Sequence, residues 1–336
     1  MKPLLEIKNL SKSFRLTSKA PGGKSVSLKA VDDISFSIFP GETLGLVGES
    51  GCGKSTTGKL VLRLIEADSG SVTFDDKEIG KLSSAQLRAE RRNLQMIFQD
   101  PYSSLNPRMR VRQILAEPLQ LHGLDKNGRT LQEELSHLLE TVGLDASHLD
   151  RYPHQFSGGQ RQRIGIARAL AVKPKLIVAD EPVSALDVSI QAQVINLMQD
   201  IQHQFGLTYL FIAHDLAVIE HICDRVAVMY LGRIVEIAPA EKIYGSTQHP
   251  YTEALLAAVP RPDPKRERTH QPLQGEVPSP VNPPSGCHFH PRCPYAQNIC
   301  RTQSPELSEK APQHLAACHF SHKIASQSRT DQTTSQ

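Results

Sequence analysis

The residues best suited to chemistry form the segment Gly48-Glu-Ser-Gly-Cys-Gly-Lys54-Ser55, which matches the pattern G-x-x-x-x-G-K-[ST]. Glycines at these places let the backbone fold tightly, so that successive N–H groups point at phosphate oxygens. The helix expected after the segment adds the positive end of its dipole. Lys54 can reach the β- and γ-phosphates of a nucleotide, and the Ser55 hydroxyl can bind Mg²⁺. The pattern therefore predicts a phosphate-binding loop.

The residues predicted to contact the bound phosphates are consecutive: Gly48, Glu49, Ser50, Gly51, Cys52, Gly53, Lys54, Ser55 and Thr56. Cys52 has two interpretations. It is either a small side chain that fills space, or a thiol made acidic by the helix N-terminus, in which case its alkylation would block nucleotide binding.

Two carboxylates follow the apolar segment Leu176–Ala179. Asp180 is placed to hold Mg²⁺, directly or through water. Glu181 comes next, and it could face the attacking water and act as a general base. His214 follows a second apolar segment, Tyr209–Ala213. Because polar residues at the carboxyl ends of parallel strands point into the ligand crevice, His214 is a candidate contact for the γ-phosphate.

A second glycine-led helix start lies further along the chain. Ser157-Gly-Gly-Gln160 precedes a predicted helix over Arg161–Val172. The N-terminus of such a helix can bind an anion. One chain thus offers two phosphate-binding helix ends, about 110 residues apart.

These segments need an alternating framework of strands and helices, which residues 1 to about 245 supply. Buried parallel strands are recognised as short, continuous apolar runs. The predicted strands are Glu6–Asn9, Leu44–Val47, Leu176–Asp180, Tyr209–Ala213 and Val226–Tyr230. The last of them is expected to form a hairpin with Arg233–Glu236 around Gly232. The pattern indicates an α/β fold.

Two helical regions complete this framework. After Asp187, apolar residues recur every three or four positions as far as Phe205, and Gly206 supplies the C-terminal stop. Residues 102–170 contain no strong strand pattern and are mostly helical. We interpret them as a helical subdomain inserted into the α/β core.

Composition excludes some classes of protein. The net charge of +3 is mild for 336 residues, so no concentrated basic face for nucleic acid is expected. The longest apolar runs, such as Val226–Leu231, have six residues, whereas a membrane-spanning helix needs about 20. With no secretory signal pattern at its start, the chain is expected to stay in the cytosol and to reach a membrane only through partners.

Four of the six cysteines lie near the C-terminal end: Cys287, Cys293, Cys300 and Cys318. Their thiolates could hold a [4Fe–4S] cluster or Zn²⁺, or remain unligated. The first two gaps are longer than the C-x2-4-C usual in zinc sites, which favours iron–sulfur. A bound metal centre would stiffen this proline-rich region, which begins near Pro260. Residues 323–336 are rich in Ser, Thr and Gln, and we expect a disordered tail.

Together these segments resemble the ATP-binding cassette (ABC) family. The resemblance rests on segments 48–55, 157–160, 180–181 and Ser184-Ala-Leu-Asp187, with Gln99 and His214. It implies a P-loop NTPase fold with a RecA-like core, an antiparallel β subdomain, the inserted helical subdomain at about 102–170 and a C-terminal cysteine-containing extension. It also implies ATP and Mg²⁺ as ligands.

The family resemblance assigns further roles. Ser157, Gly158, Gly159 and Gln160 form the signature segment, whose serine and glycines would complete the nucleotide site of the opposing subunit. Asp187 would lie in the loop that links the two sites. Gln99 would couple Mg²⁺ and water to the helical subdomain. Phe14 looks like the aromatic residue that stacks on adenine.

A narrower resemblance points to the oligopeptide and dipeptide importer ATPases. It rests on the segments 99–107, 152–156, 182–188 and 249–255 and on the Pro- and Cys-containing C-terminal region. It implies three parts: a nucleotide-binding domain over 1–245, a transporter-type extension over 246–322 and the tail. Related importer ATPases carry a C-terminal cluster. Close relatives serve nickel or glutathione uptake, so the transported solute stays open.

The resemblance also implies partners. These are a second ATPase subunit, usually a paralogue although an identical copy is an alternative, two transmembrane permease subunits and, indirectly, a solute-binding protein. The chain would work at the cytoplasmic face of the membrane as a peripheral subunit.

Three other functions compete with an importer ATPase. ABC ATPases of DNA repair separate their nucleotide motifs by long coiled coils, but only about 125 residues and no sustained heptads lie between Lys54 and Asp180. Translation factors carry two tandem cassettes, and this chain has one. A regulatory subunit that binds ATP without cleaving it would be expected to lack Glu181, Gln99 or His214.

Overall fold

The structure is a computed structural model that describes residues 1–16, 25–124, 130–258, 275–322 and 324. The predicted tail over 323–336 therefore lies outside the described residues, apart from Ile324, and so does the start of the proline-rich region, Pro260–Pro272. Among the described residues, none of the helices combines the length and the apolar character that crossing a membrane requires.

Strands and helices alternate along the described chain. The strands are β1 (Leu5–Leu16), β2 (Val26–Ile38), β3 (Thr43–Val47), β4 (Ser69–Phe74), β5 (Lys77–Glu78), β6 (Leu94–Ile97), β7 (Leu176–Asp180), β8 (Thr208–Ala213), β9 (Arg225–Tyr230), β10 (Arg233–Pro239), β11 (Ser308–Ala311) and β12 (His314–Ala316). The α-helices are α1 (Lys54–Val61), α2 (Ser84–Glu90), α3 (Val111–Leu121), α4 (Leu131–Thr141), α5 (Gly158–Leu170), α6 (Val188–Phe205), α7 (Leu216–Ile222), α8 (Ala240–Ser246), α9 (Pro250–Ala258) and α10 (Asn298–Thr302).

The chain divides into two units, each assembled from separate segments. Unit 1 comprises Met1–Leu4, Ile38–Thr43 and Lys81–Ile212. Unit 2 comprises Leu5–Ser37, Leu44–Gly80 and Ala213–Gln336. The phosphate-loop segment and the C-terminal cysteines thus belong to unit 2, whereas the acid pair and the signature segment belong to unit 1.

Unit 1 is built on three parallel strands in the order β8-β7-β6. Residue Leu176 of β7 pairs with Leu94 of β6 and with Thr208 of β8. Every residue of β7 and β8 is buried, which is why their sequences are almost continuously apolar. The predicted strand Leu176–Asp180 is confirmed at both ends.

The helices of unit 1 also follow the sequence pattern. Helices α3, α4 and α5 lie within 102–170, and no strand occurs among the described residues of that range. Helix α6 ends at Phe205, and Gly206 adopts the left-handed conformation with φ 63° that glycine permits at a helix end. The helix predicted over 161–172 begins earlier, at Gly158, because the preceding Ser157 caps it.

Unit 2 contains an antiparallel sheet in the order β2-β1-β4-β5. Strand β1 extends well beyond the predicted Glu6–Asn9. Its later residues are mostly half-buried or exposed, so they form no continuous apolar run for sequence analysis to detect.

The second group of strands in unit 2 runs in the order β11-β12-β10-β9-β3. Strands β3 and β9 are parallel. Strand β10 pairs antiparallel with both β9 and β12, and β12 pairs antiparallel with β11. The predicted hairpin is confirmed, since Tyr230 pairs with Arg233. Strand β12 comes from the C-terminal region, so this region continues the sheet.

A buried polar network fixes the C-terminal strand to β10. The Glu236 side chain has 0% exposure and His314 of β12 has 1%. The His314 Nε2 and Glu236 Oε1 atoms are 2.6 Å apart. The Thr247 hydroxyl donates to Glu236 Oε2 at 2.9 Å, and the Gln248 N–H donates to Oε1 at 2.6 Å. A buried carboxylate is tolerable only with such partners.

We predict that His314→Ala lowers the melting temperature by about 5 °C or more, since it leaves a buried carboxylate short of a partner. His203→Ala changes an exposed histidine of α6 and serves as the control, with little expected change. Differential scanning calorimetry of both variants is the measurement. Equal melting temperatures would show that the network contributes nothing.

Candidate functional site

The phosphate-loop segment connects the buried strand β3 to helix α1. The helix begins at Lys54, and Gly53 precedes it in a left-handed conformation with φ 109°. A Cβ atom at Gly53 would lie 2.1 Å from the carbonyl oxygen of Ala30. Only glycine fits there, because both the backbone angle and the neighbouring carbonyl exclude a side chain.

Lys54 is buried, and its ammonium group is held by the loop itself. The Nζ atom donates to the carbonyl oxygens of Gly48 at 2.7 Å and of Glu49 at 3.1 Å. Ser55 and Thr56 follow in the first turn of α1 and are half-buried. The segment thus concentrates a cation, two hydroxyls and a helix N-terminus, which is a favourable setting for a polyphosphate.

Cys52 is buried inside the loop. Burial raises the pKa of its thiol, although nearby Lys54 acts in the opposite direction. The thiol is therefore protonated at neutral pH, and the interpretation of Cys52 as an acidic thiol is wrong. Desolvation outweighs the effect of Lys54 on the thiol, which leaves the interpretation of Cys52 as a filler side chain.

Two partners of the loop carry no signal in the local sequence. The N–H group of Glu49 donates to the Tyr251 hydroxyl at 2.8 Å, and the Glu49 carboxylate pairs with Arg292. Pairing with Glu49 raises the pKa of Arg292 above its ordinary value. Both partners lie more than 200 residues from Glu49 in the sequence, and no local pattern could indicate the contacts.

In unit 1, the acid pair stands at the end of β7. Asp180 is the last residue of the strand and is buried. Glu181 has a left-handed backbone with φ 45°, and its N–H donates to the carbonyl oxygen of Ile212 at 2.9 Å. A left-handed conformation is strained for a residue with a side chain, and such strain is concentrated at functional sites.

The structure brings Gln99 and Glu181 together. The Gln99 amide Nε2 donates to Glu181 Oε2 at 2.8 Å, across 82 residues of sequence. Gln99 follows β6, the strand next to β7. The Gln99 amide therefore orients the Glu181 carboxylate, as expected for a general base that a neighbouring group positions.

The signature segment forms the N-terminus of α5. The Ser157 hydroxyl accepts the N–H of Gln160 at 3.3 Å, while the Gln160 side chain accepts the N–H of Ser157 at 3.1 Å. This reciprocal capping leaves Gly158 and Gly159 with N–H groups that have no acceptor within the helix. Ser157 is exposed, Gly158 is half-buried and Gly159 is buried, so an anion can approach this helix end at Ser157.

Three further predicted residues are exposed. His214 directly follows β8 and precedes α7, which Asp215 caps through the N–H of Ala217 at 2.8 Å. Asp187 precedes α6. Phe14 of β1 presents its ring to solvent, with the Lys12 ammonium 5.8 Å from the ring centre. Phe14 and His214 belong to unit 2, together with the phosphate loop.

The four C-terminal cysteines line one small cavity in unit 2, together with aromatic residues that include Phe289 and Phe320. All six cysteines of the chain are free thiols, and Cys223 is buried. Among the residues that the structure describes, no group of three or more His, Cys, Asp or Glu side chains is arranged to hold a metal ion.

The surroundings of the cavity are apolar. Burial raises the pKa of Cys293 to about 12 and that of Cys318 to about 11, and it also raises the pKa of Cys287. Burial lowers the pKa of His249, which also lines the cavity, to about 4. The thiols of Cys287, Cys293 and Cys318 are therefore protonated and the His249 ring is neutral at neutral pH.

Two protein-family models match the chain. The model described as "ABC transporter" matches residues 31–184. The model described as "Oligopeptide/dipeptide transporter, C-terminal region" matches residues 235–300. The first match includes the phosphate loop, Gln99, the signature segment and the acid pair; the second includes three of the four C-terminal cysteines.

Relatives match along almost the whole length. The chain is 54% identical to the oligopeptide transport ATP-binding protein AppF of Bacillus subtilis, over 94% of this chain and 97% of the relative. It is 54% identical to a putative peptide import ATP-binding protein of Brucella ovis, with the same coverage. A probable peptide ABC transporter ATP-binding protein of Sinorhizobium fredii is 53% identical over 94% of this chain and 89% of the relative.

Solved structures share the fold. The ATP-binding cassette MJ0796, solved as a dimer in a post-hydrolysis state bound to ADP and Pi, has a TM-score of 0.61 at 25% identity, covering 70% of this chain and 98% of that one. The structure of cbiO1 from Clostridium perfringens, part of the ABC transporter complex cbiONQ, has a TM-score of 0.60 at 24% identity, covering 73% of this chain and 91% of that one.

The predicted α/β fold of the P-loop NTPase type is thus confirmed. The identity to full-length relatives extends through both the cassette and the C-terminal region. This chain belongs to the ABC transporter family, as an ATP-hydrolysing transporter subunit with the C-terminal region of the oligopeptide/dipeptide transporters.

Proposed function

We propose that this chain hydrolyses ATP to drive the import of dipeptides or oligopeptides through two membrane permease subunits. The observation that carries the proposal is the similarity, over 94% of the chain, to proteins described as oligopeptide-transport and peptide-import ATP-binding proteins. The similarity includes the C-terminal region, where residues 235–300 match the model of the oligopeptide/dipeptide transporters.

In this proposal, residues of unit 2 bind the phosphates and the adenine of the nucleotide. Backbone N–H groups of residues 48–56 and the Lys54 ammonium bind the phosphates, and Phe14 stacks on the adenine. Lys54 exchanges its carbonyl partners at Gly48 and Glu49 for phosphate oxygens, a contact favoured by the opposite charges. The loop is already folded around Lys54, which lowers the ordering cost of binding.

The oxygen atoms of Ser55, Gln99 and Asp180 suit Mg²⁺, which prefers hard oxygen ligands. When bound, Mg²⁺ neutralises charge on the β- and γ-phosphates. We assign Ser55 and Asp180 to its coordination, with Gln99 connecting it to the attacking water.

For hydrolysis, we assign the general base to Glu181. Its carboxylate takes a proton from water as the water oxygen bonds to the γ-phosphorus, and the bond from that phosphorus to the β–γ bridging oxygen breaks to release ADP. Gln99 supports this role, since it fixes one carboxylate oxygen at 2.8 Å. His214 contacts the γ-phosphate and steadies it during transfer.

The signature segment serves the neighbouring subunit. We assign Ser157, Gly158, Gly159 and Gln160 to the γ-phosphate held by a second ATPase, either a paralogue or an identical copy. The exposed Ser157 at the start of α5 supports this assignment, as does the dimeric form of the cassette MJ0796. Loss of the γ-phosphate removes a contact shared by both subunits and lets them separate.

The place of the chain in the transporter follows from these roles. It is a peripheral subunit at the cytoplasmic face of the membrane, and a solute-binding protein delivers cargo to the permeases. We further propose that residues 1–245 form the nucleotide-binding domain, with the helical subdomain at about 102–170, and that residues 246–322 form the extension.

The four C-terminal cysteines carry soft sulfur donor atoms, although the described side chains are not grouped around a single ion. All four thiols line one apolar cavity, and thiolate sulfur binds iron–sulfur clusters and zinc in preference to hard cations. We propose a [4Fe–4S] cluster there, with Zn²⁺ as the alternative. When bound, the metal centre would cross-link Cys318 to the segment that contains Cys287, Cys293 and Cys300.

We predict that Glu181→Gln binds ATP and forms the closed dimer but lowers the turnover rate by about 100-fold or more, because the amide cannot accept the proton. The measurement is phosphate release at saturating ATP, beside a binding assay with labelled ATP. Glu220→Gln, an exposed carboxylate of α7, is the matched control. Undiminished turnover by Glu181→Gln would refute Glu181 as the base.

The same variant tests which class of solute is transported, in cells whose only copy of this protein is Glu181→Gln. Uptake of labelled dipeptides and oligopeptides should fail, whereas uptake of nickel and of glutathione should continue. Loss of nickel or glutathione uptake with normal peptide uptake would reassign the cargo to that solute.

We predict that Cys300→Ser removes most iron from anaerobically purified protein, along with the broad visible absorbance of a cluster. Cys223→Ser changes a buried cysteine outside the cavity and should keep the iron. Elemental analysis gives the iron and zinc contents. Stoichiometric zinc without iron in the wild type would exclude the cluster, and neither metal would mean unligated thiols.

A further inference from the structure

The cysteine-lined region contacts the phosphate loop through one arginine. Arg292 lies between Cys287 and Cys293, two residues that line the cavity. Its two terminal nitrogens donate to the two carboxylate oxygens of Glu49, at 2.8 Å and 3.1 Å. Such a paired contact fixes both the distance and the orientation of the carboxylate.

The ion pair is shielded from water. The Arg292 side chain is 6% exposed, and that of Glu49 is 27% exposed. Screening by solvent is therefore weak, and removing either partner leaves the other charge poorly compensated. A surface ion pair would contribute much less to the loop.

The backbone of the same loop residue is held as well. The Glu49 N–H donates to the Tyr251 hydroxyl at 2.8 Å, and Tyr251 is fully buried. Its ring packs against Phe289, with ring centres 5.4 Å apart. Phe289 follows Cys287 by two residues and also lines the cysteine cavity. The C-terminal region thus holds both the side chain and the N–H of Glu49.

These contacts act on the part of the loop that must be ordered. Glu49 is the second residue of the phosphate-binding segment, directly after Gly48. The N–H groups that follow must point at phosphate oxygens. A loop fixed before binding loses less conformational freedom on binding, so its affinity is higher.

We propose that Arg292 is a positioning residue for the phosphate loop, and that the cysteine-lined region sets the affinity of the loop for ATP through it. The inference rests on the proposed nucleotide site at residues 48–56. Because Arg292 directly precedes Cys293, a displacement of that cysteine also displaces the guanidinium group from Glu49.

The test compares the Kd for ATP of full-length wild type, Arg292→Ala, Arg292→Lys, Glu49→Gln and the double variant. We expect Arg292→Ala and Glu49→Gln each to raise the Kd by about tenfold. The double variant should bind no more weakly than either single variant, because both remove the same contact. Arg292→Lys should restore part of the affinity, since it keeps the charge but not the paired geometry.

The design separates positioning from a simple field effect. Loss of a positive charge weakens the binding of an anion, whereas loss of a negative charge strengthens it. A field effect would therefore move the Kd of Arg292→Ala and Glu49→Gln in opposite directions, and positioning moves both upward. Arg292→Ala should also affect binding more than turnover. We expect the factor by which its Kd rises to exceed the factor by which its turnover rate at saturating ATP falls.

Two further measurements complete the test. Arg301→Ala removes an exposed arginine of the same region and should leave the Kd unchanged. Hydrogen exchange of the amides at 48–53 should speed up in Glu49→Gln, a variant that leaves the cysteine-lined region intact even if Arg292→Ala disturbs it. Wild-type affinity in both Arg292→Ala and Glu49→Gln would overturn the inference alone. A wild type that binds no ATP would overturn the proposed function as well.

Discussion

The chemistry of this protein depends on fully buried strands that end at polar residues. Strands β3, β7 and β8 are buried throughout, so the side chains within them pack in the core. A residue becomes free to contact a ligand only at the carboxyl end of such a strand. The phosphate loop follows β3, the acid pair ends β7 and His214 follows β8. The strands therefore determine where each functional group stands.

The elements that could be predicted from the sequence are those whose signal lies within one short segment. A buried parallel strand requires a continuous apolar run, so β7 could be predicted to the residue. The phosphate loop needs glycines at fixed places because Gly53 has no room for a Cβ atom. The helix after Asp187 was visible for a similar reason, since its apolar spacing and Gly206 are encoded within one segment.

The parts that escaped prediction depend on contacts between distant residues or on partial burial. Strand β2 and the second half of β1 have mixed burial and no continuous apolar run. The Gln99–Glu181 hydrogen bond spans 82 residues and the Arg292–Glu49 pair spans 243. Cys52 was misjudged in one interpretation because the desolvation of a side chain cannot be evaluated before the fold is known.

The C-terminal region is built into unit 2. It supplies β12 to the sheet, a histidine to the buried Glu236 and an arginine to the phosphate loop. These contacts differ in kind, one being a β-ladder and two being buried polar pairs. Together they join the C-terminal region to the rest of unit 2, including the phosphate loop, and they are the basis for the proposed influence of this region on nucleotide affinity.

The central claim is that no single subunit encloses its nucleotide, and that the exposed start of α5 closes the site of a neighbour. The most direct measurement is the ATP hydrolysis rate per subunit over a range of protein concentrations, with light scattering recorded on the same samples. The account predicts that the rate per subunit rises in proportion to the dimer fraction and approaches zero where the protein is monomeric. Full hydrolysis by a demonstrably monomeric sample would contradict it.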